Sequence, residues 1–188
     1  MAGKTIILAS TSPRRAQLLR EFNLEFQVVP PEAREIYSRQ YSPRELALHN
    51  SMLKCRSVAR SYPQHIVIGG DTLVTLEGAA IGKPQDEADA QAMLERLSGQ
   101  THEVVSGVTV MHLASQHRAS FMEISQVTLR QLTLEAILAY HRRIGPLDKA
   151  GAYAAQEDEG EAIESINGSI SNVIGLPMER LVEVLKAF

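Results

Sequence analysis

Residues 10–15, Ser10-Thr11-Ser12-Pro13-Arg14-Arg15, put two serine hydroxyls and two guanidinium groups into one short stretch. An apolar run precedes them, and Ser12-Pro13 is the pairing of an N-cap with a proline at the first helical position. The stretch therefore reads as a strand-to-helix junction. Free backbone N–H groups at a helix start favour an anion, and arginine grips phosphate oxygens with a planar fork. An ordinary N-cap with two solvated arginines accounts for the same residues.

A second group is Gly69-Gly70-Asp71-Thr72, which reads as the end of a strand. Carboxylates at strand ends in open α/β sheets face the ligand crevice. Glycines beside Asp71 would let a phosphate or metal approach the backbone. Asp71 would then hold a divalent cation or act as a general base on water. Taken alone, the tetrapeptide favours the plainer alternative, a Gly-Gly-Asp turn. Gly82-Lys83-Pro84 places a lysine in a loop, where it is a point charge for phosphate or simply solvated. The spacing of a P-loop is absent. Residues 148–153, Asp148-Lys149-Ala150-Gly151-Ala152-Tyr153, are followed by Gln156, whose amide can read a base edge. The small residues there suit close ligand approach, or a strand start packed on a helix. The histidines show no zinc-ligand spacing, and Cys55 reads as a small buried residue.

These groups need elements to carry them, and the pattern alternates strands with helices, which predicts an α/β domain. Strands are expected at residues 5–10, 26–29, 65–68, 73–76, 103–111 and 121–129, the last two joined as a hairpin through residues 115–118. Helices are expected from Ser12-Pro13 onward with Leu18, Leu19 and Phe22 on one face, from the capping box Ser42-Pro43-Arg44-Glu45 to about Arg60, and at residues 86–97, 133–143 and 177–188. Glu77-Gly78 marks a turn.

The chain has 188 residues and a formal charge of −3, with one cysteine and no tryptophan. Near-neutral charge and few aromatics argue against a nucleic-acid partner, though not against a small anion held by a local cluster. A single cysteine precludes an internal disulfide. The apolar run at the amino terminus is too short for a signal peptide, and no stretch approaches a membrane span. A cytoplasmic protein with no membrane partner is expected.

Five runs, LASTSPRRAQLL, GGDTLV, GKPQDEADAQAMLERLSGQTHEV, DKAGAYAAQ and INGSISNVIGLP, together resemble the Maf-like nucleotide pyrophosphatase family, in the family's order and over nearly the whole chain. The resemblance implies a single domain over residues 1–188. It also implies an elongated two-lobed α/β fold, with a central mixed sheet flanked by helices and a cleft between the lobes. The implied reaction hydrolyses a nucleoside triphosphate to the monophosphate and pyrophosphate with Mg²⁺ or Mn²⁺, serving to clear the nucleotide pool. Asp71 matches the family's catalytic acid, and Ser10, Ser12, Arg14 and Arg15 its phosphate-binding start. Lys83 matches its loop lysine, Lys54 a helix lysine, and Glu35 the second of two acids, so that Glu35 and Asp71 are the implied metal ligands. Arg14, Thr72 and Gln156 resemble the branch acting on dTTP and UTP more than the branch acting on 7-methyl-GTP. A nucleotide-binding regulator of cell division with little catalysis is the alternative from outside the enzyme class. A homodimer is the expected assembly on base rates.

The chain departs from the family at several points. Arg34 replaces the first of the two acids, Cys55 an alanine after Lys54, Gly70 an alanine before Asp71, and Ser106 a threonine. Glu157-Asp158-Glu159 replaces a glycine-rich segment. Three carboxylates beside a triphosphate would repel it unless they point away or hold metal.

Overall fold

The computed structural model describes residues 5–38 and 40–188. Residues 1–4, part of the amino terminus considered above, lie outside the described residues, as does Arg39. A short strand β1 (Ile6–Ala9) leads into helix α1 (Pro13–Glu21), with Ser12 as N-cap and Pro13 at the first position. Strand β2 (Phe26–Val28) follows, and helix α2 (Pro43–Ala59) opens on a full Ser42/Glu45 capping box. Next come strand β3 (Ile66–Leu76) and a hairpin strand β4 (Ala79–Ile81), turned at Glu77 and Gly78, both with positive φ. Helix α3 (Glu87–Leu97) is capped by Asp86, and the long strands β5 (Thr101–His112) and β6 (His117–Leu129) form a hairpin. Helix α4 (Leu134–Ile144), strand β7 (Ile163–Asn167), the short helix α5 (Ile170–Ile174) and helix α6 (Met178–Leu185) complete the chain.

The strands form one mixed, open seven-stranded sheet in the order β2-β1-β3-β5-β6-β7, with β4 paired to β3. Pairing is parallel from β2 through β1 to β3 and antiparallel beyond it. Side chains alternate across β1, as the pleat requires. Ile7 and Ala9 pack with Cys55, Val58 and Ala59 of α2, whereas Leu8 packs with Leu18 and Leu19 of α1 and Leu181 of α6. Farther along the long strands, Val74, Val104 and Val127 join Leu94 and Leu97 of α3 and Ile137 and Tyr140 of α4. Two groups of helices thus cover different stretches of one sheet. Among the described residues no helix is long and apolar enough to cross a membrane.

The turn expected at Gly69-Gly70-Asp71-Thr72 is not there: the four residues lie in the middle of the unbroken strand β3. Their glycines serve packing. A Cβ on Gly69 would lie 2.4 Å from the carbonyl oxygen of Ser51 and 2.6 Å from the amide nitrogen of Cys55. A Cβ on the cross-strand neighbour of Asp71, Gly107, would lie 2.4 Å from the backbone of Ala47. Both absences let α2 lie directly on the sheet. Residues 148–156, read as a possible strand start, instead form short 3₁₀ turns, with Gly151 at φ 72°. Phe22 caps the end of α1 and is 39% exposed, outside the buried face expected for it. Cys55 is buried, as expected, and burial pushes its thiol pKa up to about 12.

Candidate active site

A cleft of about 620 Å³ opens between the two helix groups. That volume lies within the range of small-molecule sites. Residues 10–15 form one wall; Asp71 and Thr72 on β3 contribute from the sheet; Gly82 and Lys83 after β4, with the turns from Asp148 to Gln156, form the opposite wall. All ten residues singled out above line this one cleft: Ser10, Ser12, Arg14, Arg15, Glu35, Lys54, Asp71, Thr72, Lys83 and Gln156. The lining holds five cations, Arg14, Arg15, Lys54, Lys83 and Lys149, against three carboxylates, Glu35, Asp71 and Asp148. A chain of net charge −3 therefore has a locally cationic cleft.

At its base, Asp71 is 6% exposed and its two oxygens have different partners. Lys54 Nζ donates to Oδ1 at 2.7 Å, and Asn50 Nδ2 donates to Oδ2 at 3.3 Å. The same ammonium lies 2.8 Å from Glu35 Oε1. Lys54 therefore bridges the two carboxylates, where two like charges would otherwise repel. Tyr37 donates to the other oxygen of Glu35. Burial pulls the Glu35 pKa upward, but the hydrogen bonds from Lys54 and Tyr37 and the charges of Lys54 and Arg15 outweigh it and hold the carboxyl below its ordinary value.

The arginines divide. Arg15 is buried, and its guanidinium donates to the Gly175 carbonyl at 2.8 Å, Thr72 Oγ1 at 3.1 Å and Ser10 Oγ at 3.3 Å. It straps α1 to β3 and to the end of α5. Burial lowers its pKa, against the opposing pull of Asp71 and Glu35. Arg14 instead reaches across the cleft to Asp148 Oδ2 at 2.7 Å and the Asp148 carbonyl at 3.1 Å. Thr72 is likewise engaged, with its Oγ1 3.1 Å from the Gly175 carbonyl and 2.8 Å from Ser106 Oγ. Lys83 is exposed, and no hydrogen bond or ion pair joins it to the described residues. Lys149 is 7% exposed and donates to the carbonyls of Ile144 and Gly145 and to Asp148 Oδ1.

The family departures resolve locally. Pro31, Ala33, Glu35 and Tyr37 line the cleft while Glu32 and Arg34 are exposed, so the extended loop alternates and Arg34 points away. None of Glu157, Asp158 and Glu159 lines the cleft. Asp158 accepts from the amides of Ala162 and Ile163 at 2.9 and 3.0 Å, Glu157 lies 3.6 Å from Lys149, and Glu159 faces solvent. The sequence reading missed Asn50, whose signal was present: it lies four residues before Lys54, one turn away on the same helix face.

Among the described residues no cluster of three or more His, Cys, Asp or Glu forms a metal cage. The two carboxylates keep free lone pairs beyond the bonds described above. That set fits a magnesium-type ion held by one or two carboxylates together with substrate phosphates, rather than an all-protein site.

Fold and cleft together define an open-sheet α/β protein with a locally cationic cleft around a bridged carboxylate pair. The chain belongs to the Maf-like protein family, whose model matches residues 5–188. A relative from Carboxydothermus hydrogenoformans, a dTTP/UTP pyrophosphatase, is 43% identical over 182 residues, 96% of this chain and 97% of that one. Others bearing that description are 42% identical in Bacillus cereus, over 98% of this chain and 90% of that one, and 40% identical in Akkermansia muciniphila, over 96% and 94%. The solved structure of protein VC0702 from Vibrio cholerae aligns over 74% of this chain and 70% of that chain at a TM-score of 0.37 and 12% identity, too distant to carry an argument.

Proposed function

We propose that this chain hydrolyses dTTP and UTP to the nucleoside monophosphate and pyrophosphate. The observation that carries the proposal is the Glu35–Lys54–Asp71 bridge in a cationic cleft. Relatives at 40% identity or more, described as dTTP/UTP pyrophosphatases, support the choice of substrate.

In this mechanism the triphosphate lies along the start of α1, where Ser12, Arg14 and the helix amides receive it and Lys83 neutralises charge from the opposite wall. Arg14 must exchange Asp148 for phosphate as the substrate enters. Arg15 keeps the α1 start fixed against β3 and does not need to move. Lys54 holds Glu35 and Asp71 side by side, its ammonium in contact with both. Asp71 Oδ1 is held by the ammonium at 2.7 Å, so the oxygen left for water is Oδ2, which carries only the 3.3 Å bond from Asn50. It takes the proton of a water whose oxygen attacks the α-phosphorus. The bond from that phosphorus to the bridging oxygen breaks, and pyrophosphate leaves with the electron pair. Glu35 and Asp71 would hold Mg²⁺ or Mn²⁺, and that ion would help neutralise the charge on the leaving group. Gln156, on the wall opposite Arg14, reads the pyrimidine edge with its amide.

The test is pyrophosphate release from a panel of nucleoside triphosphates, for wild type and Asp71→Asn, with each metal. The proposal requires turnover of dTTP or UTP that is lost in the variant. Turnover only of modified purines contradicts the substrate choice. A triphosphate that binds without turnover assigns the chain to nucleotide sensing instead.

A further inference from the structure

Asn50 is 0% exposed on α2, and the proposed mechanism does not use it. Its side-chain amide engages two separate pieces of the site. Oδ1 accepts from the backbone amide of Ile36 at 2.8 Å, and Nδ2 donates to the carbonyl of Ile36 at 3.1 Å. The second hydrogen of Nδ2 goes to Asp71 Oδ2 at 3.3 Å. The side chain therefore pairs with Ile36 as a neighbouring strand would, on the residue next to Glu35. The orientation of the amide is forced: a flip would set NH₂ against the Ile36 N–H and the oxygen against both the Ile36 carbonyl and the Asp71 carboxylate.

Among the described residues between β2 and α2, the loop bearing Glu35 has no helix or strand. Asn50 fixes it from one side, and Lys54, one helical turn on, fixes it from the other through Glu35 itself. We infer that Asn50 is a positioning residue that sets the separation and aim of Glu35 and Asp71, by tying the Glu35 loop and the Asp71 carboxylate to one helix. The inference rests on the reading of that pair as the hydrolytic carboxylates.

Two variants divide the contacts unequally. Asn50→Asp keeps an acceptor for the Ile36 amide but can donate to neither the Ile36 carbonyl nor Asp71. Asn50→Ala loses both. Ser98→Ala, which removes a buried hydroxyl that accepts from the amide of Leu132 at 2.7 Å, far from the carboxylates, controls for lost stability. Outer-shell partners of this kind typically carry about 10–100-fold in activity. Both Asn50 variants are expected to lose about that much kcat for UTP or dTTP, with KM changed less than about threefold, because Arg14 and Lys83 are untouched. Hydrogen exchange at the Ile36 amide, read without substrate, should quicken in Asn50→Ala and less in Asn50→Asp. Ser98→Ala should keep wild-type kcat. If the Asn50 variants melt earlier yet turn over as Ser98→Ala does, or if Ile36 exchange is unchanged in Asn50→Ala, the inference is overturned alone. A wild type that releases no pyrophosphate overturns the functional reading and this inference with it.

Discussion

Gly69→Ala is a methyl-sized change with a calculable consequence. The new Cβ would be 2.4 Å from the Ser51 carbonyl oxygen, 2.6 Å from the Cys55 amide and 2.7 Å from Cys55 Cβ, while ordinary contact begins at 3.4 Å. The first two neighbours are helix backbone and cannot rotate away, so α2 must retreat by about 1 Å. Overpacking of this kind costs roughly 1–3 kcal/mol. At about 2–4 °C per kcal/mol for a chain of this size, 2 kcal/mol is a fall in Tm of roughly 4–8 °C. The same helix carries Asn50 and Lys54. A 1 Å retreat lengthens the 2.7 Å Lys54–Asp71 contact to about 3.7 Å, beyond a hydrogen bond. Misplacement on that scale can cost on the order of 100-fold in rate. Thermal unfolding and steady-state kinetics on UTP should show both effects, chiefly in kcat. Gly70→Ala is the internal comparison. Its Cβ points to the other face and meets Arg15 Nε at 3.3 Å and Leu176 Cδ1 at 3.5 Å, side-chain atoms that need shift by only a few tenths of an ångström. Its Tm should fall less. A Gly69→Ala protein with wild-type Tm and kcat would refute the claim that this glycine is there for the helix.

Three other outcomes are expected. Lys54→Met leaves Asp71 and the partly exposed Glu35 facing each other without a counter-charge, which should cost about 3 kcal/mol in urea unfolding and nearly all turnover; a stable, active variant contradicts the bridge. Burial lowers the pKa of His102 from 6.5 to about 4, so the unfolded chain binds the proton first as pH falls. Its stabilisation is full above about pH 6.5 and is lost towards about pH 4, up to about 3 kcal/mol, and His102→Gln should flatten that slope in urea melts at intervals across the window. Gln156→Leu should lower kcat/KM for UTP about tenfold while changing that for a purine triphosphate less, and an equal loss on both would remove Gln156 from base recognition.

Much of this was legible in the sequence where the signals are local. Ser12-Pro13 and the Ser42/Glu45 box fix two helix starts by their own hydrogen bonds, and both stand where expected. The α/β class followed from the alternation of strands and helices, and the mixed sheet flanked by helices from the family resemblance. The signals that misled are non-local. Gly69-Gly70 has the chemistry of a turn, and only the backbone of α2, folded over it from residues 51–55, shows that Gly69 is there for close approach. Strand β7 carries an exposed, broken burial pattern, and α5 has five residues, so neither offers a period to read. At the site, Ser10, Ser12, Arg14, Arg15, Asp71, Lys83 and Gln156 could be named because their types suit phosphate, metal or a base edge, and Glu35, Lys54 and Thr72 through the family resemblance. Their division of labour could not: that Arg15 is consumed by Gly175, Thr72 and Ser10 while Arg14 crosses to Asp148 depends on chain separations of 160 and 134 residues. Asn50 was passed over because a polar residue in a helix is ordinarily solvated, and its burial appears only when the Glu35 loop closes over it.

The central claim is that water attacks the α-phosphorus beside Asp71. Single-turnover hydrolysis of UTP or dTTP in heavy-oxygen water, with the products separated and weighed by mass spectrometry, tests it most directly. The label should enter the nucleoside monophosphate, leave pyrophosphate unlabelled, and enter neither product with Asp71→Asn. Label in the pyrophosphate, or undiminished labelling by the variant, would contradict it.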